Sequence, residues 1–194
     1  MSAPMNEVYN ETFWATMRRC RSAYRRLGDC IDAVIPPKTR VVDFGCGLGF
    51  VIERLQELGH PVTGYDAWGH AHHAGIVRII DADLTHTIKV SPLADVAICT
   101  ETGEHLPEGS SQCLVSTVSG AAQSQIIWSA APPGQDEDDQ GHINLQPREF
   151  WLSKFAELGW AVDRGASVDL RASMGSRHAQ HEHCRNNFFV LVRQ

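Results

Sequence analysis

An α/β fold, a mostly parallel sheet with helices on both faces, is predicted by three features of this 194-residue sequence. Short apolar strands alternate with helical stretches from residue 40 onward. Two E-L-G tripeptides, at 57–59 and 157–159, each end a helical stretch and precede a strand, as expected of glycine in a left-handed stop position. The first strand also runs into a glycine-rich loop, D-F-G-C-G-L-G at 43–49, before the next helix.

The elements follow in order. Residues 10–27 read as an amphipathic helix, with Phe13, Met17, Cys20, Tyr24 and Leu27 on one stripe and Arg18, Arg19, Arg21, Arg25 and Arg26 on the opposite arc. Gly28 reads as its stop, and a short helix over 29–35 ends before Pro36 and Pro37. A strand at 40–44 leads through the glycine loop to a helix at 51–58. Strands are expected at 62–65, 76–80 and 95–99, a helix near 110–120, and a strand at 125–130. A polar loop at 132–146 precedes a helix over 148–158, and 161–171 and 187–193 read as the last two strands. Ligands of such sheets bind beyond the carboxyl ends of the strands, so the loops after Phe44, Tyr65, Ile80, Cys99 and Ala130 should form the site.

Composition narrows the function. An apolar content of 43% suits one domain, able to bury roughly 70% of its unfolded surface. The net charge of −6 provides no overall cationic field for nucleic acid or anionic membrane. The opening M-S-A-P-M-N-E lacks the basic flank and apolar core of a signal peptide. The apolar run at 188–192 is far shorter than the roughly 20 residues of a spanning helix. Six scattered cysteines without C-x-x-C read as reduced thiols, and a cytoplasmic protein is expected.

The glycine loop carries the most chemistry. A dinucleotide fingerprint would need glycine at 50, where Phe50 stands. Asp43, two residues before Gly45, would repel a pyrophosphate but attract an ammonium or sulfonium. Asp66, ending the second strand, suits a carboxylate that accepts from both hydroxyls of a ribose. Asp83, after the third strand, is placed to accept from an adenine amino group.

With these residues in place, the sequence from about 38 to 194 resembles the class I S-adenosylmethionine-dependent methyltransferases. D-F-G-C-G-L-G matches the family's first motif, Asp66 its ribose acid, and D-A-D-L at 81–84 its adenine-contacting segment. A-D-V-A-I-C-T-E-T-G-E-H-L at 94–106 is similar to the fourth-strand motif often written E-V-x-E-H-L. S-A-A-P-P-G-Q at 129–135 and G-H-I-N-L-Q-P at 141–147 resemble a bacterial and phage-type subgroup. The resemblance implies a Rossmann-like, seven-stranded, mostly parallel sheet with an antiparallel last strand. It implies a methyltransferase domain over 38–194, with 1–37 a helical segment packed on it. The cofactor is expected to be S-adenosyl-L-methionine, held by Asp43, Gly45, Cys46, Gly47, Gly49, Asp66, Ala67, Asp83, Leu84 and Glu101.

Methyl transfer from a sulfonium needs the acceptor held in line, and a base only where the acceptor must lose a proton. Glu104, His105 and His142 are the candidates, against the alternative that Glu104 starts a helix and His105 packs. No metal is expected. E-T-G-E-H at 101–105 is one residue from the H-x-x-E-H zinc signature, but residues 96–101 finish a strand, so the ligands would not share a helix face. The four acids at 136–139 read as a solvated lid, and His178, His181, His183 and Cys184 match no structural-zinc spacing.

The fourth strand carries neither the [DN]-P-P-[FY] of base-amino methyltransferases nor the Pro-Cys of cytosine enzymes. An oxygen or nitrogen on a small molecule or glycan is therefore the expected acceptor. Two alternatives stand beside it. One is an RNA- or nucleotide-directed enzyme that uses the arginine face, with Trp14 near it to stack on a base. The other is a non-catalytic cofactor-binding subunit whose interface is an exposed Trp14 and the first helix.

Overall fold

The computed structural model describes residues 8–73, 75, 77–135, 141–175 and 184–194. Its strands are β1 (Val41–Phe44), β2 (Val62–Asp66), β3 (Ile79–Asp81), β4 (Ala94–Thr100), β5 (Ala122–Ser129), β6 (Trp160–Asp163) and β7 (Phe189–Arg193). Its α-helices are α1 (Glu11–Arg19), α2 (Arg21–Asp32), α3 (Phe50–Glu57), α4 (Gly69–His72), α5 (Ser111–Ala121), α6 (Arg148–Glu157) and α7 (Arg164–Met174). The strands form one sheet in the order β3-β2-β1-β4-β5-β7-β6, with β7 antiparallel to both β5 and β6. The expected Rossmann-like sheet with its antiparallel last strand is thus present.

Each central strand is apolar on both sides because both sides are covered. Val42 and Phe44, Ala97 and Cys99, Ile126 and Trp128, and Phe189 and Leu191 point to one face. There they meet Leu114, Val115 and Val118 of α5 and Trp151 and Phe155 of α6. The alternate residues Val41, Val96, Ile98, Ile127 and Val190 meet Leu27 and Ile31 of α2, Val51 and Leu55 of α3, and Leu170 of α7. A large side chain buried in this way contributes about 1.5–3 kcal/mol.

The N-terminal helices differ from the sequence reading. Instead of one helix to residue 27 and another from 29, the chain forms α1 and α2, divided at Cys20 (φ −83°, ψ 4°). On one straight helix Trp14 would lie off the apolar stripe. The break lets α1 turn Trp14 inward while α2 lays Leu27, Cys30 and Ile31 on the sheet, so Trp14 is buried, not exposed. Gly28 is no stop. A Cβ there would stand 2.9 Å from the Arg54 Cβ and 3.0 Å from the Val51 carbonyl, so its bare backbone is what allows α2 to approach α3. Gly28→Ala is expected to cost about 1–3 kcal/mol of stability through overpacking, read as a lower denaturant midpoint at unchanged m-value.

The stretch 161–171 is also not one strand. It is the end of β6 followed by α7, whose start is capped by Asp163 accepting from the Ala166 amide at 2.9 Å. Ser167, Leu170 and Met174 form the buried side of α7. No helix among the described residues is long and apolar enough to cross a membrane.

Candidate active site

Two adjoining cavities open at the carboxyl ends of β1, β2, β3 and β4. The larger, about 560 Å³, is lined by Gly45, Gly47, Asp66, Ala67, Asp83, Leu84, Glu101 and His105. Its far wall comes from Tyr9, Phe13 and Trp14 at the N-terminus and from Trp68. The smaller, about 400 Å³, reaches Asp43, Cys46, Glu104 and Cys184. Met17, Tyr24, Gly45, Gly47, Glu101 and His142 wall both.

The loop after β1 is shaped by its glycines. Gly45 has φ +74°, and a Cβ on it would collide with the Thr102 side chain, so this turn passes beneath the β4 exit only as glycine. The Gly47 amide donates to Asp66 Oδ2 at 2.9 Å, while Asp66 Oδ1 accepts from the amides of Trp68 at 2.8 Å and Gly69 at 2.5 Å. The carboxylate expected to hold a ribose therefore also pins the glycine loop to the start of α4. Asp83 accepts from the backbone amide of Thr85 at 2.9 Å and its hydroxyl at 2.6 Å, and these bonds, with His86 nearby, hold its carboxyl below the usual range.

Asp43, near the end of β1, is almost wholly buried. Burial, and secondarily the charge of Asp66, pushes its carboxyl well above the usual carboxylate range. The Cys46 and Cys99 thiols are pushed up by burial as well. Tyr24, on the wall between the cavities, is raised by burial to about 12 and its hydroxyl donates to the Met17 sulfur at 3.2 Å. Gly49, with φ +74°, caps α3 and lies on neither cavity wall. A Cβ there would press at 3.0 Å on Val77 and Ile79, so the residue accommodates the approach of the β3 segment.

The β4 exit carries the remaining predicted residues. Glu101 adopts a left-handed conformation (φ 48°), rare for a residue with a side chain and found most often where a site over-determines it. Glu104, Ser129 and Trp128 are fully buried around it. Glu104 Oε1 accepts from the Ala131 amide at 3.2 Å, and its carbonyl accepts from the amides of Ile143 at 2.9 Å and Asn144 at 3.0 Å. His105 Nδ1 meets the Gly141 carbonyl at 3.0 Å. The rings of His105 and His142 stand edge to face, 4.8 Å between centroids.

Asn144 has no role in the sequence reading, whereas Trp14 and the arginine face do but stand otherwise than expected. Asn144 is buried and donates to the Gly103 carbonyl at 3.1 Å and the Ser111 hydroxyl at 3.2 Å, which fixes the segment bearing His142 against the β4 exit. Its signal was the G-H-I-N string, visible in the sequence without a role. Trp14 stacks on His72, 4.7 Å between ring centroids, and its indole N–H donates to the Tyr9 carbonyl at 3.0 Å. The arginine face is largely paired: Arg18 with Glu11 at 2.7 Å, Arg21 with Glu53 at 2.9 Å, Arg25 with Glu57 at 2.5 Å. The acids at 136–139 and His178, His181 and His183 lie outside the described residues, and Cys184 is buried on the smaller cavity.

No protein-family model and no curated protein sequence matches the chain. Its fold, in contrast, is shared with solved methyltransferases. A TehB-like SAM-dependent methyltransferase from Corynebacterium glutamicum superposes with a TM-score of 0.71 at 16% identity, over 97% of this chain and 100% of that one. A magnesium protoporphyrin IX methyltransferase from Synechocystis with bound SAH gives 0.68 at 16% identity, over 97% of each chain. A methyltransferase from Haloferax volcanii, solved with the Trm112 methyltransferase activator, gives 0.60 at 11% identity over 93% of this chain and 95% of that one. At such identities the likeness establishes the class I methyltransferase fold.

Proposed function

We propose that this protein transfers a methyl group from S-adenosyl-L-methionine to an oxygen or nitrogen of a small molecule or glycan, in the cytoplasm, the compartment its thiols suit. In this reading 38–194 are the catalytic domain and 1–37 the segment before it, whose described part carries α1 and α2. The observation that carries this reading is the larger cavity, where the glycine loop, Asp66, Ala67, Asp83, Leu84 and Glu101 come together from four strand ends. The adenosine half of the cofactor fits between Asp66 and Leu84, and its amino-acid half runs past Gly45 and Gly47 toward Asp43. The transferred methyl then faces the wall shared by the cavities, where His142 stands. The solved relatives with bound SAM or SAH support the same cofactor.

The alternatives lose their footing in particular residues. An RNA-directed enzyme would use an arginine face whose Arg18, Arg21 and Arg25 are instead engaged by Glu11, Glu53 and Glu57. A non-catalytic subunit docking through an exposed Trp14 is opposed by that residue's burial. The test is incubation with donor carrying an isotopically labelled methyl group and a fractionated host extract. Label is expected in a small-molecule or glycan fraction. Label confined to RNA, or absence of calorimetric donor binding, overturns the proposal.

A further inference from the structure

Glu104, His105 and His142 offer one carboxylate oxygen and two imidazole nitrogens, all within 4.8 Å of one another. The sequence reading gives these residues an acid–base task without a metal. We propose instead that they bind a divalent first-row transition-metal ion, and that this ion holds the oxygen of a hydroxyl or phenol acceptor. The assignment of the acceptor rests on the methyl-transfer reading above; the binding of the ion does not.

Three observations carry it. First, two imidazoles and a carboxylate are the donor set of ions such as Zn²⁺, Mn²⁺ or Fe²⁺, which leave positions open for a further ligand, whereas Mg²⁺ and Ca²⁺ favour all-oxygen surroundings. Second, the donors are already oriented by outer contacts. A carbonyl only accepts, so the 3.0 Å contact to Gly141 places the His105 proton on Nδ1, and in the neutral ring the lone pair lies on Nε2. Glu104 is held by the Ala131 amide through Oε1, and the Glu104 carbonyl, accepting from Ile143 and Asn144, sets the segment that presents His142. A ligating histidine bonded to a carbonyl through its other nitrogen, beside a hydrogen-bonded carboxylate, is the usual outer arrangement of metal sites.

Third, the cluster stands where an acceptor must be. Glu104 lines the smaller cavity, His105 the larger, and His142 both. Ligands about 2.1 Å from one ion lie at most about 4.2 Å apart, so the three side chains draw in by about half an ångström on binding.

The ion also selects the acceptor atom. A coordinated amine has committed the lone pair with which it would attack the methyl. A hydroxyl oxygen keeps another. Coordination lowers the hydroxyl's pKa, its proton passes to water, and the oxygen's remaining lone pair forms a C–O bond to the methyl as the C–S bond breaks. The bonding pair returns to sulfur, which leaves a methyl ether and the neutral thioether of the spent cofactor.

The test uses the full-length protein stripped with a chelator. Titration with Zn²⁺ and Mn²⁺ should give one ion per chain, and Co²⁺ should produce visible absorption bands that need no activity. His142→Ala, His105→Ala and the isosteric Glu104→Gln should each weaken binding at least tenfold, with folding confirmed by thermal melting. His178→Ala with His181→Ala should leave it unchanged. Binding abolished by that last pair, or intact in the cluster variants, overturns the site. S-adenosylhomocysteine titrated into the same stripped protein separates the two proposals. Cofactor binding without metal binding defeats only the metal site, whereas metal binding without cofactor binding defeats the methyltransferase reading and keeps the site.

Discussion

Asp66→Ala is expected to weaken S-adenosylhomocysteine binding by about 100-fold, because the carboxylate serves two tasks that each depend on charge-assisted hydrogen bonds worth about 1.5–3 kcal/mol. One task, in the proposed function, is to hold the ribose. The other is internal: Asp66 accepts from the amides of Gly47, Trp68 and Gly69. A carboxylate has about four lone-pair directions, so a ribose bound through both hydroxyls must share or displace at least one of these donors. The alanine variant thus loses the sugar contact and loosens the glycine loop, and its ligand-free melting temperature should fall as well. Asp66→Asn keeps the size but offers an amide group to backbone donors, so it should not restore affinity. Calorimetric affinity unchanged in Asp66→Ala would remove the ribose assignment.

Asp43→Asn is expected to move stability and binding in opposite directions. Burial, reinforced by Asp66, raises the Asp43 carboxyl well above its ordinary value of 3.8. The folded protein therefore keeps this proton to higher pH than the unfolded chain. Below both values the group costs nothing. As pH rises from about 4 toward the raised folded value, the unfolded state ionises first, and stability falls. Asparagine removes that loss, so the ligand-free variant should melt higher near neutral pH. The wild-type melting temperature should show a pH slope here that the variant lacks. The cofactor's ammonium, in contrast, favours the ionised carboxylate. Binding should then release a proton, and affinity should rise with pH by up to about tenfold per unit until free Asp43 ionises. Calorimetry in buffers of different ionisation enthalpy reads that proton directly. No proton release, with equal affinity in the asparagine variant, would mean that Asp43 does not face the charged end of the ligand.

The parts of this molecule that depend on neighbours in sequence were legible before the structure. All seven expected strands overlap observed ones, 161–171 only at its first three residues, because each begins as a short apolar run, and the glycine loop, Asp66 and Asp83 sit at strand ends as their spacing implies. What escaped depends on packing partners far along the chain. Gly28 looks like a helix stop until Arg54 and Val51 are brought against it. Trp14 looks exposed until the break at Cys20 turns it onto His72. Helix α7 reads as strand because its valine and leucine suit either state, and the cap at Asp163 is a single residue that marks the helix start only once the chain is folded. Glu104, His105 and His142 each stand out in the sequence as candidates, yet their convergence does not, since the Glu104 carbonyl that positions Ile143 and Asn144 has no signature in residue type.

The way the wall of the site is fastened bears on how its specificity can change. Ala131 is tied to Glu104 on one side, and Gly141, Ile143 and Asn144 are tied to His105, Glu104 and Gly103 on the other. Ala131 and Gly141 are thus two fixed posts, each tied to the exit of β4. Lengthening a span between such posts costs little, about 0.6 kcal/mol per doubling. A segment borrowed from another protein could be spliced between the posts while the chemistry beneath stayed registered.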